Sequence, residues 1–210
     1  MFSGPFHLGR FLRNAAIIAV VLGGCTALWF EVLRDRIVAK RFGEVTEHVH
    51  RSGQISEHVI GRVLEEHAIR RIVDLTEAEY QPAGKVEERR LANERDIELV
   101  ELPLIGDGTG DVEIYARAVA TLIESERAGV PTLVHCAAGT QRTGGVVATF
   151  RIIHHGWTVE EALREAQRYG WKRDEVAMSN YLIANLDGVR ERLAAWGVVG
   201  ADRVMNATSR

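Results

Sequence analysis

The stretch Val134-His135-Cys136-Ala137-Ala138-Gly139-Thr140-Gln141-Arg142-Thr143-Gly144 limits what this chain can fold into more than any other part of it. Pro131, Thr132, Leu133 and Val134 lead into it as a short apolar run bounded by proline, the pattern of a buried strand. Val146, Val147, Phe150 and Ile153 follow at helical spacing. Strand, tight loop and helix are therefore expected in succession. In that geometry residues 137 to 141 turn their backbone N–H groups inward, and the helix points the positive end of its dipole at the same spot. The product is a cradle for a dianion made of Ala137, Ala138, Gly139, Thr140, Gln141 and Arg142.

The cradle acts on its own cysteine. A free thiol with a pKa of about 8.5 is mostly neutral at pH 7, whereas one at a helix N-terminus or beside a cation falls to roughly 3.5–7.5. Cys136 is expected to rest as a thiolate. Arg142 offers a planar fork that can hold two phosphoryl oxygens at once, which a lysine cannot. Thr143 stands where it can hydrogen-bond the sulfur as a leaving group. A buried structural cysteine or a rhodanese-like sulfur carrier would also place a cysteine in such a loop. The Arg-Thr-Gly ending at the start of a helix favours phosphate chemistry over both.

The rest of the sequence fits an α/β domain. Weak alternation over Val45 to His50 marks a first strand, and Ile55, Val59, Ile60, Val63 and Leu64 share a helical face with Ser56 as a possible cap. Ile72 to Leu75 and Ile97 to Leu102 are further strands, with Lys85 to Arg95 between them polar enough for an exposed helix or ordered loop. Val112, Tyr115, Ala116, Val119, Leu122 and Ile123 form an amphipathic helix. Val159 to Ala166 and Met178 to Trp196 carry two more. Strands alternating with helices give a central sheet flanked by helices, with the loop at a carboxyl strand end, where such sheets place ligands.

Phosphoryl transfer to a thiolate leaves an alkoxide or phenoxide that needs a proton. The turn Ile105-Gly106-Asp107-Gly108-Thr109-Gly110-Asp111 is the natural source. Asp111 stands where a helix N-cap belongs. Asp107, between two glycines, has no such duty and is the candidate acid.

Cys-x5-Arg-Thr preceded by His135, together with Val49-His50-Arg51-Ser52-Gly53-Gln54, Arg71-Ile72-Val73-Asp74-Leu75 and Leu102-Pro103 before Asp107, resembles the bacterial dual-specificity-like, cysteine-dependent protein tyrosine phosphatases. The resemblance spans roughly Phe42 to Trp196. It implies a phosphatase fold without a metal or other cofactor. It also implies a cysteinyl-phosphate intermediate that water hydrolyses, Asp107 switching from acid to base, and His135 orienting the loop and supporting the thiolate. Arg51 either braces the loop or pairs with a carboxylate. Members of this group that act on inositol phosphates tend to carry basic residues inside the loop, and here Ala137, Ala138, Thr140 and Gln141 do not. A phosphoprotein is therefore expected as substrate, phosphotyrosine first, with dual specificity open. Inositol phosphates, lipids or small phosphorylated metabolites form the alternative, and a catalytically idle phosphoprotein-binding domain is a further one.

At 210 residues with a formal net charge of −3, the chain has room for one domain and an appendage, and no basic excess that would suit nucleic acid. Its two cysteines, Cys25 and Cys136, lie in unlike settings, so no structural disulfide is expected. The run Asn14 to Phe30, with Arg10 and Arg13 ahead, reads as an N-terminal transmembrane helix, with a cleaved signal, a lipoprotein site at Cys25 or a buried helix as alternatives. Residues 1–41 are expected as membrane anchor and juxtamembrane segment, 42–198 as catalytic domain and 199–210 as tail. Arg34, Arg36, Lys40 and Arg41 after the run favour a cytoplasmic domain, while the short basic N-terminus favours export. The resemblance tips the choice toward a bacterial inner-membrane protein with a periplasmic domain. His48 with His50, and His154 with His155, lack companions for a metal site.

Overall fold

The structure, a computed structural model, describes residues 8–28 and 37–200. The chain divides into two compact units, residues 1–38 and 39–210.

The first unit carries one helix, α1 (Leu8–Leu28), of 21 residues. Leu12, Ile17, Ile18, Val20, Val21 and Leu22 are all exposed on it. No helix of the described residues is long and apolar enough to cross a membrane, so the transmembrane helix expected from the sequence finds no support among them. The helix begins early enough to include Arg10 and Arg13, and its uncharged part is residues 14–28. Trp29 and Phe30, which end the run read from the sequence, lie outside the described residues, as do Arg34, Arg36 and most of the expected tail.

The second unit runs β1 (Gly43–Glu44), β2 (Val49–Gly53), α2 (Ile60–Glu66), β3 (Arg71–Asp74), α3 (Ala83–Glu94), β4 (Glu98–Glu101), α4 (Val112–Ala128), β5 (Thr132–Cys136), α5 (Gln141–His155), α6 (Val159–Arg168) and α7 (Val176–Ala195). The strands form one sheet in the order β1-β2-β5-β3-β4. The β1–β2 pair is antiparallel and the other three pairs are parallel. Every residue of β5 is buried, as a central parallel strand covered on both faces requires.

Side chains alternate across the strands, so neighbouring residues feed different cores. Val73 and Val134 join Val49 against Tyr115 and Val119 of α4, Val146 and Phe150 of α5, and Val189 and Leu193 of α7. Ile72 and Leu133 point the other way, onto Ile60 and Val63 of α2 and Leu91 of α3. The sequence expectations hold in outline and shift locally. Of the strand expected over Val45 to His50, only Val49 and His50 lie in one, at the start of β2, and Ile55 and Val59 are buried ahead of α2 rather than within it. Val59 is the N-cap residue of α2, with no side-chain cap bond. The polar segment from Lys85 is a helix, and Lys85 and Glu88 are buried in it rather than exposed.

Parallel pairing brings three strand ends together. Gly53 is level with Cys136, and Ser52 and Asp74 flank His135. The turn after β5 opens at that edge.

Candidate active site

Cys136 ends β5, and residues 137–140 lead straight into α5. Gly139 makes that turn possible: its φ of +77° lies in the left-handed region, and an added Cβ would sit 2.5 Å from the Gly53 nitrogen. β2 therefore packs directly beneath the loop. Thr140 caps α5 with no side-chain hydrogen bond, leaving the first-turn N–H groups to whatever the loop holds.

The Cys136 sulfur is buried and accepts the Gly139 N–H at 3.2 Å. Burial alone would raise its pKa. The Thr143 hydroxyl, the Thr143 and Gly139 N–H groups and the Arg142 charge outweigh burial and draw it down. Thr143 Oγ1 is buried and bonded to no other group, which leaves it to the sulfur.

Arg142, 7% exposed, ties the surrounding loops together. Its Nη1 donates to the Leu75 carbonyl at 3.4 Å and the Leu104 carbonyl at 3.3 Å, and pairs with Glu77. The guanidinium thus anchors the turns after β3 and β4 beside the loop. Asp107 sits on the second of these turns. It is exposed, and its Oδ1 accepts from Thr109 N at 3.0 Å and Thr109 Oγ1 at 2.8 Å. Gly108, next in the chain, packs against the Gln141 backbone, where an added Cβ would come within 3.1 Å of the carbonyl carbon. Asp111 is the α4 N-cap, accepting from Glu113 N at 2.7 Å and Ile114 N at 3.2 Å.

The sequence matches the tyrosine phosphatase family over residues 36–192, well over half of the chain. The chain belongs to this family. Among curated relatives, the dual specificity protein phosphatase TpbA of Pseudomonas aeruginosa (strain UCBPP-PA14) is 33% identical over 113 residues, 52% of this chain and 51% of that protein. The chain thus spans about half the length of the curated relatives it matches first. The crystal structure of P. aeruginosa TpbA aligns with a TM-score of 0.60 at 23% identity, covering 74% of this chain and 91% of that one. The core catalytic domain of the PP-IP phosphatase SIW14 from S. cerevisiae, solved with citrate, aligns at 0.64 with 19% identity, covering 77% and 94%. These solved structures share the fold.

Around the family's loop, the structure adds residues that the sequence reading missed. His135 Nε2 donates to Glu88 Oε1 at 3.1 Å and stands 4.0 Å from Asp74 Oδ1, and Lys85 Nζ lies 2.7 Å from Asp74 Oδ2. Burial would lower the His135 pKa, but Glu88, then Asp74 and Cys136, outweigh it and push it up to about 9. His135 is therefore an imidazolium at neutral pH, one residue from the sulfur. Donor atoms of Asp74, Glu88 and His135 fall within 4.8 Å of one another, a spacing a metal could use, but Lys85 already supplies positive charge there. No motif reveals Glu88 in the sequence; only its buried position on α3 does.

Arg51 is resolved in favour of bracing. It is fully buried, its Nη2 donates to the Gly139 carbonyl at 2.8 Å, and its Cζ lies 4.0 Å above the Tyr169 ring. Burial lowers its pKa to about 10, which leaves it charged at neutral pH. His50 packs with Phe42 and His67, and His154 and His155 pack around Phe150, as rings of the folded domain. Gln141, expected only in the cradle, also joins Glu175 on the segment before α7.

Proposed function

We propose that this chain is a phosphoprotein phosphatase that hydrolyses phosphate monoesters, phosphotyrosine first, through a cysteinyl-phosphate. The observation that carries the reading is a sulfur with a lowered pKa inside a loop whose Gly139 N–H points at it, with Arg142 at the helix end of the same loop. In the first step the Cys136 thiolate attacks phosphorus, the S–P bond forms and the P–O bond to the leaving group breaks. Asp107 gives its proton to the departing oxygen, and Arg142 with the inward N–H groups binds the equatorial oxygens. In the second step Asp107, now a carboxylate, takes a proton from water as the water attacks phosphorus. The S–P electrons return to sulfur, which Thr143 steadies by a hydrogen bond.

The test is phosphate release by the full chain, in chelator, from a phosphotyrosine peptide, a phosphoserine peptide and an inositol polyphosphate. Preference for the peptides is expected. Preference for the inositol compound would move the assignment to polyanionic small molecules. Cys136→Ser should abolish turnover yet retain phosphopeptide; a variant that still turns over would remove the cysteinyl-phosphate from the mechanism.

Export to the periplasm is part of the same proposal. Arg10 and Arg13 ahead of an uncharged helical stretch are the ingredients of an export signal. Fractionation of bacteria expressing the full chain checks it, and recovery from the cytoplasm alone would refute it.

A further inference from the structure

A phosphate dianion needs counter-charge, and between Cys136 and Arg142 the loop carries none. Cations reach it from outside. Lys40 Nζ donates to the Ala137 carbonyl at 3.2 Å, Arg41 Nη1 to Ala138 at 2.9 Å and Arg51 Nη2 to Gly139 at 2.8 Å. Three successive carbonyls thus each hold one cation. In a trans peptide the N–H lies opposite the C=O, and the chain has no cis peptide bond among its described residues. Carbonyls drawn outward at 137, 138 and 139 therefore turn the N–H groups of 138, 139 and 140 inward. One of these is visible: Gly139 N–H donates to the Cys136 sulfur.

The clamp is built by the backbone as well. Arg41 holds a φ of +48°, a left-handed conformation uncommon outside glycine, so two successive basic side chains reach two successive carbonyls. The Lys40 carbonyl accepts the Gly53 N–H at 2.7 Å, which fixes this turn to the end of β2, level with Cys136.

We propose that Lys40 and Arg41 are positioning residues of the phosphate site, an outer clamp that orients the loop's N–H groups and supplies the counter-charge the loop lacks. The proposal deepens the phosphatase reading and rests on it for the identity of the ligand. Arg51 completes the clamp from the buried side, whereas Lys40 and Arg41 are exposed and can be replaced without opening the core.

The test compares the full chain with its Lys40→Gln/Arg41→Gln double variant. The first readout is the pH dependence of Cys136 alkylation by iodoacetamide, which reports the thiolate directly. The other groups that bear on this sulfur are His135 on β5, Arg142 and Thr143 on α5, Arg51 on β2 and Tyr80 after β3, and all are unchanged in the variant. The second readout is inhibition by inorganic phosphate, with kcat and KM for a phosphotyrosine peptide. The alkylation midpoint should move up in pH, and phosphate should bind about 5- to 20-fold more weakly, from two exposed charge interactions of ordinary strength. The charge-conserving Lys40→Arg should behave as the parent. A double variant whose midpoint and phosphate affinity match the parent, or which loses only folded fraction, overturns the clamp. If it does not fold, Lys40→Gln and Arg41→Gln are read singly by the same criteria. A parent that releases no phosphate while the midpoint still shifts would refute the phosphatase reading and leave the clamp standing.

Discussion

Behind Cys136 and in front of it, the protein uses the same kinds of charged side chain to opposite ends. Behind the sulfur, Lys85, Asp74, His135 and Glu88 are each 1% exposed and face one another as two cations and two anions. In front, the Glu77 side chain is 45% exposed and Asp107 is exposed. A charge taken out of water is tolerable only when paired, and once paired it is fixed. The back wall is therefore scaffold that holds His135 charged and the strand end rigid. The front wall leaves its carboxylates open to solvent, as the acid role proposed for Asp107 requires.

The largest expected break in this contrast is at the centre of the back wall. Asp74 Oδ1 accepts from Thr76 N at 2.8 Å and Thr76 Oγ1 at 2.7 Å, while Oδ2 faces Lys85. Asp74→Ala leaves the Lys85 ammonium buried without its anion and should cost about 3–5 kcal/mol in urea unfolding. A loss under about 1 kcal/mol would mean that water or Glu101, 4.0 Å from Lys85, replaces the carboxylate, and the back wall would not be a closed network.

On the front wall the stability effect should be small and the kinetic effect selective. Asp107→Asn should lower kcat for a phosphotyrosine peptide about 100-fold and barely change it for an ester whose leaving group departs without a proton. Asp111→Ala is the internal control. It removes a helix cap, so it should cost about 1 kcal/mol and leave the dependence on leaving group as it was. Equal losses for both esters in Asp107→Asn would strip that residue of its acid role.

The same contrast decides what the sequence makes legible. The strand, loop and helix around Cys136 follow from the apolar run, the glycine and the helical spacing, because those residues act through local geometry. Asp111 is readable as a cap for the same reason, its partners being two and three residues away. Lys85 and Glu88 are not, since a polar heptad looks the same whether it meets water or a buried histidine, and Glu88 finds His135 only through the tertiary fold. Lys40 and Arg41 read as flanking charge after an apolar run, and the fold carries them 97 residues along the chain to the loop. The α1 helix is the converse case: its composition suggests a membrane span, and no helix of the described residues is long and apolar enough for one.

The comparison sharpens further through pH alone. The folded pKa of His135 is about 9, above its ordinary value of about 6.5. The native state therefore binds this proton more tightly than the unfolded chain does. That stabilisation is complete below the unfolded pKa and is lost as pH rises through the folded one. Between pH 7 and 9 the chain should lose on the order of 2 kcal/mol of stability from this group. Urea midpoints across that range measure it. In Glu88→Gln, which removes the first charge that holds the proton, the slope should flatten, because His135 then titrates closer to its unfolded value. An unchanged slope would mean that Asp74 rather than Glu88 holds the His135 proton, and would make Glu88 a hydrogen-bond acceptor only.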